Sequence, residues 1–161
     1  MAEGILEAWK AYDSKSAVIM FIVEDIIELI DDICDQRFIE FEIRRQNPDV
    51  FVVRKSLAEV HKEGHIEQSS KKLFVGKYEV AVVYYRCGYH PDQYPTEKEW
   101  EARLMIERSL AIKSPSIQYH LVGTKKVQQA LASPGMLERY QSILILFTGY
   151  WSLFNLTYMC I

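Results

Sequence analysis

The chain has 161 residues, 49% of them hydrophobic and 25% charged. That suits one globular domain with a sizeable core and leaves little room for a second. Its net charge of −3 gives no general pull toward nucleic acid or acidic membranes, so neither is expected as a partner.

The first element is a helix, because Ile5, Leu6, Trp9 and Tyr12 fall at helical spacing. Glu3 and Glu7 lie close to the start with no apolar run behind them, so no secretory leader is expected. Residues 17–23, "AVIMFIV", are continuously apolar and short, which predicts a strand covered on both faces. Residues 24–35 mix acids with Ile26, Ile27, Ile30 and Ile33. Oxygen ligands for a divalent metal are one reading of those acids, but an amphipathic helical face fits the alternation better, and no metal ligand is assigned. Ile39 and Ile43 continue a helical pattern, and "VFVV" at 50–53 predicts a second buried strand. Ser56 and Glu59 have capping-box spacing.

Gly76-Lys77 separates "LFV" from "YEVAVVYY", which predicts a tight hairpin ending in a third buried strand at 79–85. Thr96 and Glu99 repeat the capping-box spacing before Trp100 and Leu104, and Thr124 is a candidate cap for a helix carrying Val127 and Leu131. Strands alternating with helices predict an α/β fold, a three-layer α/β/α arrangement with a mainly parallel sheet. Two domain segments are expected, 1–140 as the folded body and 141–161 as an apolar tail. From Gln141 to Ile161 there is no charged residue. The length approaches that of a membrane span, but Thr148, Gly149, Ser152, Asn155 and Thr157 dilute it, and membrane anchoring is the less favoured reading. A buried last element or a tail foreign to the fold are the alternatives.

Three widely spaced cysteines, Cys34, Cys87 and Cys160, form neither a disulfide framework nor a zinc-ligand spacing. They suit a reducing, cytoplasmic setting. No Gly-rich phosphate loop or serine-nucleophile elbow occurs, and Gly64 between His61 and His65 argues against a helical zinc pair.

"RCGYHP" begins where the third buried strand stops. In open α/β sheets, ligands bind outside the carboxyl ends of strands. Arg86 offers a planar fork for a carboxylate, Gly88 a close backbone approach, Tyr89 a ring and a hydroxyl. Taken alone, the stretch reads more readily as an ordinary turn closed by Pro91. Gln36 in "DQR" and the lysines of "GTKKVQQ" at 123–129 read, taken alone, as solvated polar groups, although a helix start also suits anions.

Together the motifs say more. "DQR", then "AVVYYRCGYHPDQY", "EWEARLMIERS" and "LVGTKKVQQALASPGMLE", in that order, closely resemble the eukaryotic-type glutathione synthetases. The resemblance runs from about Ile5 to Glu138 and corresponds to their middle, substrate-binding part, with a pre-ATP-grasp-like fold. It implies an ATP- and magnesium-dependent carbon–nitrogen ligase. In the family's reaction, γ-glutamylcysteine is activated as an acyl phosphate and joined to glycine. It also implies site residues: Arg86, Cys87, Gly88 and Tyr89 match the family's Arg-x-Gly-Tyr substrate loop. Gln36 matches the Gln of its Asp-Gln-Arg motif, and Lys125 a lysine that contacts ATP. Cys87 sits at the variable position of that loop. No catalytic residue is assigned.

One segment departs from the family. The family's Glu-x-Asn pair before Asp-Gln-Arg is replaced by Ile30-Asp31-Asp32, and those roles are not carried over. Family enzymes are longer on both sides. The expectation is therefore a substrate-binding portion that is inactive alone, with magnesium ligands supplied by chain not present here. The alternative is a non-catalytic binding or interaction module. Family enzymes are homodimers; no dimer is predicted for this chain.

Overall fold

A computed structural model of the chain describes residues 1–24 and 33–136, with the backbone alone for Ile33, Asp35 and Gln36. The chain divides into two compact units, Met1–Gln118 and the part from Tyr119 onward. The expected tail at 141–161 and most of the acid–Ile pattern lie outside the described residues.

The first unit is built around Val18–Ile22 (β1), whose five residues are all buried. An apolar strand without polar alternation needs cover on both faces. Val18, Met20 and Ile22 enter one core, Ile19 and Phe21 the other. The first core is closed by helices Leu57–Glu63 (α3) and Glu97–Arg108 (α4), through Leu57, Val60, Ala102 and Ile106. The second is closed by Ala2–Tyr12 (α1) and Ile33–Gln46 (α2), through Ala2, Ile5, Leu6 and Ile43. Helices on both faces of one sheet make the expected three-layer α/β/α fold.

The other strands are Val52–Lys55 (β2), Gly64–Ile66 (β3), Leu73–Val75 (β4), Tyr78–Tyr85 (β5) and Ile112–Ser114 (β6). Their order is β2-β1-β5-β4-β3, with β6 also on β5. β2–β1, β1–β5 and β5–β6 run parallel, whereas β3–β4 and β4–β5 are antiparallel. The sheet is thus mixed and mostly parallel. The hairpin turn is the one expected, with Gly76 at φ 57°, a left-handed conformation that glycine adopts without steric cost.

One irregularity matters. Val18 pairs with Val80 but Ile19 pairs with Val82, so Ala81 has no partner on β1. This is a β-bulge. Val80 and Val83 both face the α3/α4 core, while Ala81 and Val82 both face the α1/α2 core.

Several expectations need correction. The strand expected at 50–53 runs from Val52 to Lys55, and Phe51 is exposed against the ring of Tyr78. β3 and β6 were not expected. Each is three residues long and only partly buried, so neither carries a strong apolar signal. The helix expected after Thr96 is α4, whose buried face holds Glu99, Ala102, Arg103 and Ile106 and leaves Trp100 and Leu104 exposed. Both capping boxes are present. Ser56 Oγ accepts from Glu59 N at 3.2 Å, and Glu99 Oε2 accepts from Thr96 N at 2.9 Å.

Ile117–Val122 (α5) spans the boundary of the units, and the second unit continues with Lys125–Leu131 (α6). Thr124 precedes α6 as expected, but its hydroxyl donates to Leu121 O at 2.7 Å instead of capping the helix. Among the described residues, no helix is long and apolar enough to cross a membrane.

Candidate substrate cleft

The three central parallel strands end at one edge of the sheet. β1 continues into Val23 and Glu24, β2 into Ser56 at the start of α3, and β5 into Arg86. The ladder extends past the strand ends. Arg86 N donates to Ile22 O at 2.9 Å, and Val23 N to Lys55 O at 3.0 Å. A cleft of about 320 Å³ opens there. Its walls come from all three strand ends: Glu24 from the first, Ser56 and Leu57 from the second, Cys87, Gln93 and Glu99 from the third. This is the edge at which open α/β sheets bind ligands.

The loop after β5 is tightly held. Gly88 has φ 87°, so any side chain there would be strained. A Cβ on it would lie 2.8 Å from Tyr94 Oη. Tyr94 Oη donates to Gly88 O at 2.9 Å, and Tyr89 Oη to Tyr85 O at 2.7 Å. Burial pushes both phenols above their ordinary pKa, so each keeps the proton its bond uses. The Gln93 side chain collects the loop's amides, because its Oε1 accepts from Gly88 N at 2.7 Å, Tyr89 N at 2.8 Å and His90 N at 3.2 Å. Its Nε2 donates to Glu24.

Behind the loop lies a buried guanidinium. Arg103 stacks over the Tyr85 ring at 3.9 Å, donates Nε to Glu107 at 3.0 Å and reaches Tyr94 Oη with Nη1 at 3.4 Å. Trp100 stacks on the outer face of Tyr94 at 4.0 Å, which is why an apolar residue sits half-exposed there. Tyr85 Oη is buried and makes no hydrogen bond among the described residues. Tyr85→Phe is therefore expected to keep the ring beside Arg103 and to be neutral or stabilising by up to about 1 kcal/mol. A loss of more than about 1 kcal/mol in urea unfolding would show that the hydroxyl has a role.

The expected site residues are distributed as follows. Arg86, Cys87, Gly88 and Tyr89 lie together at the sheet edge, and of the four Cys87 lines the cleft. Gln36 is in the first turns of α2. Lys125 is exposed in the first turn of α6, in the second unit. Gln93, Tyr94, Arg103 and Glu24 were not expected as parts of the site. Gln93 and Tyr94 follow Pro91 closely enough to hint at a folded-back loop, but nothing in spacing alone pairs Gln93 with Glu24. Among the described residues, no group of three or more His, Cys, Asp or Glu is placed to hold a metal.

A fold with helices on both faces of a mostly parallel sheet, and a ligand-sized cleft at its carboxyl edge, defines the α/β class of binding domain. The family model for eukaryotic glutathione synthase matches residues 17–122. The chloroplastic glutathione synthetase of Arabidopsis thaliana is 46% identical over 159 residues, covering 94% of this chain and 29% of that protein. Glutathione synthetases of Xenopus laevis and Homo sapiens are 49% and 45% identical, covering 85% and 86% of this chain but 27% and 28% of those proteins. The chain belongs to the eukaryotic glutathione synthase family, and it spans less than a third of the length of these relatives. The Arabidopsis match covers 94% of the chain, more than residues 1–138 make up, so that alignment runs past Glu138. A solved glutathione synthetase-like effector from Globodera pallida, in apo form, superposes with a TM-score of 0.69 over 86% of this chain and 31% of that one, at 23% identity. That likeness supports the fold.

Proposed function

We propose that this chain provides the substrate-binding part of an ATP-dependent carbon–nitrogen ligase that joins γ-glutamylcysteine to glycine. The cleft at the carboxyl ends of β1, β2 and β5, with Cys87 of the Arg86–Tyr89 loop in its wall, carries this reading. The guanidinium of Arg86 supplies a fork for a substrate carboxylate. Cys87 lines the space, Gly88 and Tyr89 present backbone, and Gln36 contributes by its match to the family motif. ATP, when bound, supplies the phosphoryl group that activates the carboxylate. Lys125 is exposed beside Lys126, and this pair suits an anionic group electrostatically. The described residues offer no grouping suited to magnesium. A cytoplasmic site of action fits the cysteine usage.

Calorimetric titration of γ-glutamylcysteine into the 161-residue chain tests this. Arg86→Ala is expected to weaken binding about tenfold or more, because a charge-assisted contact contributes about 1.5–3 kcal/mol. Lys125→Ala should leave dipeptide binding unchanged and weaken ATP binding. Equal losses for both ligands in both variants would make the loops merely structural. No ligation is expected from this chain alone when ATP, magnesium and glycine are added, and absence of dipeptide binding would overturn the reading.

A further inference from the structure

We infer that Gln93 is the positioning residue that ties the Arg86–Tyr89 loop to the end of β1 and so fixes the width of the cleft. The inference rests on the substrate-cleft reading above. Three successive backbone N–H groups, those of Gly88, Tyr89 and His90, converge on the one Gln93 oxygen at 2.7, 2.8 and 3.2 Å. Successive amides turned inward make a concave patch of positive potential. Left without an acceptor, they would draw in water and let the loop relax. The other end of the same side chain donates to Glu24 on the opposite wall.

The chemistry of this bridge selects the residue. It needs an acceptor at one end of the group and a donor at the other, which an amide supplies. Asparagine is one methylene shorter. Glutamate accepts from the loop but faces the Glu24 carboxylate with a like charge. Leucine leaves three amides without their acceptor. Gln93 and Glu24 both line the cleft, so the bridge acts at the ligand's position and not behind it.

The polarity of the bridge can be reversed. In Gln93→Glu combined with Glu24→Gln, the new carboxylate accepts from the loop amides and the new amide donates across the cleft. Two readouts are needed, both on the 161-residue chain. The first is hydrogen exchange at Gly88, Tyr89 and His90, with no ligand. Gln93→Leu should speed exchange there about tenfold or more, while Tm changes by no more than about 2 °C. The second is γ-glutamylcysteine affinity. Gln93→Leu and Gln93→Glu should each lower it about tenfold, and the double variant should recover to within about threefold of the parent.

Unchanged exchange in Gln93→Leu overturns the inference. So does a double variant that binds no better than Gln93→Glu alone, or a fall in Tm that accounts for the whole loss of affinity. If the unaltered chain binds no dipeptide, the functional reading fails by itself, and the exchange measurement still decides whether Gln93 holds the loop.

Discussion

Gly88→Ala is expected to lower γ-glutamylcysteine affinity at least about tenfold. Two costs coincide. The backbone stands at φ 87°, where a side chain costs about 1–2 kcal/mol. The new Cβ would also meet Tyr94 Oη at 2.8 Å. That hydroxyl has nowhere easy to go, because it donates to Gly88 O and its ring is packed under Trp100. Relief by moving the loop would break the three amide bonds to Gln93. Affinity should therefore fall further than global stability, and calorimetry beside thermal unfolding separates the two. An alanine variant that binds like the parent would mean that the loop is soft.

Arg103→Ala is expected to produce the largest loss of stability, about 3–5 kcal/mol, or a Tm lower by on the order of 10–20 °C. The side chain is 6% exposed and that of its partner Glu107 is 15% exposed. Removal leaves a mostly buried carboxylate without its partner, an empty space over Tyr85 and a Tyr94 hydroxyl without its neighbour. Arg103→Lys keeps a cation for Glu107 but cannot also stack flat on Tyr85, and should fall between the two. Replacing Arg103 and Glu107 together by methionine should recover much of the loss, since it removes both charges at once. If the double replacement is as damaging as Arg103→Ala, packing against Tyr85 and not charge dominates. Urea unfolding of the three variants decides this.

The helix bearing Arg103 also shows where sequence reading stopped. Glu99, Arg103 and Glu107 recur every four residues, the usual appearance of a solvated stripe. Here Glu99 and Arg103 are buried, because the cap at Thr96 holds one, and the Tyr85 ring, Tyr94 and Glu107 engage the other. Polar satisfaction of this kind depends on groups brought in from β5 and the following loop, which helical periodicity does not register. The long strands were legible because β1, and β5 from Val80 to Tyr85, are apolar without interruption. β3 and β6, "GHI" and "IKS", were not, since three residues that are at most half-buried hold their place through pairing and not through hydrophobicity. The position of the Arg86–Tyr89 loop followed from the end of a buried strand. Its shape did not, because that shape is set by Gln93 and Tyr94 after the chain has turned at Pro91.

The bulge at Ala81 works as a phase shifter between two halves of one strand. Up to Val80, β5 keeps step with the antiparallel hairpin; from Val82 it keeps step with β1 and β6. Alternation restarts at that alanine, so the inward set of the first half predicts the wrong parity for the second. Pairing Ala81 regularly with β1, while the hairpin holds its register, would turn every later residue of the strand over. Tyr85 would leave the α3/α4 side and Tyr84 would take its place, and Arg103 would face a different ring. The unpaired placing of one small residue, with no polar atom in its side chain, thus decides which aromatic the buried cation meets.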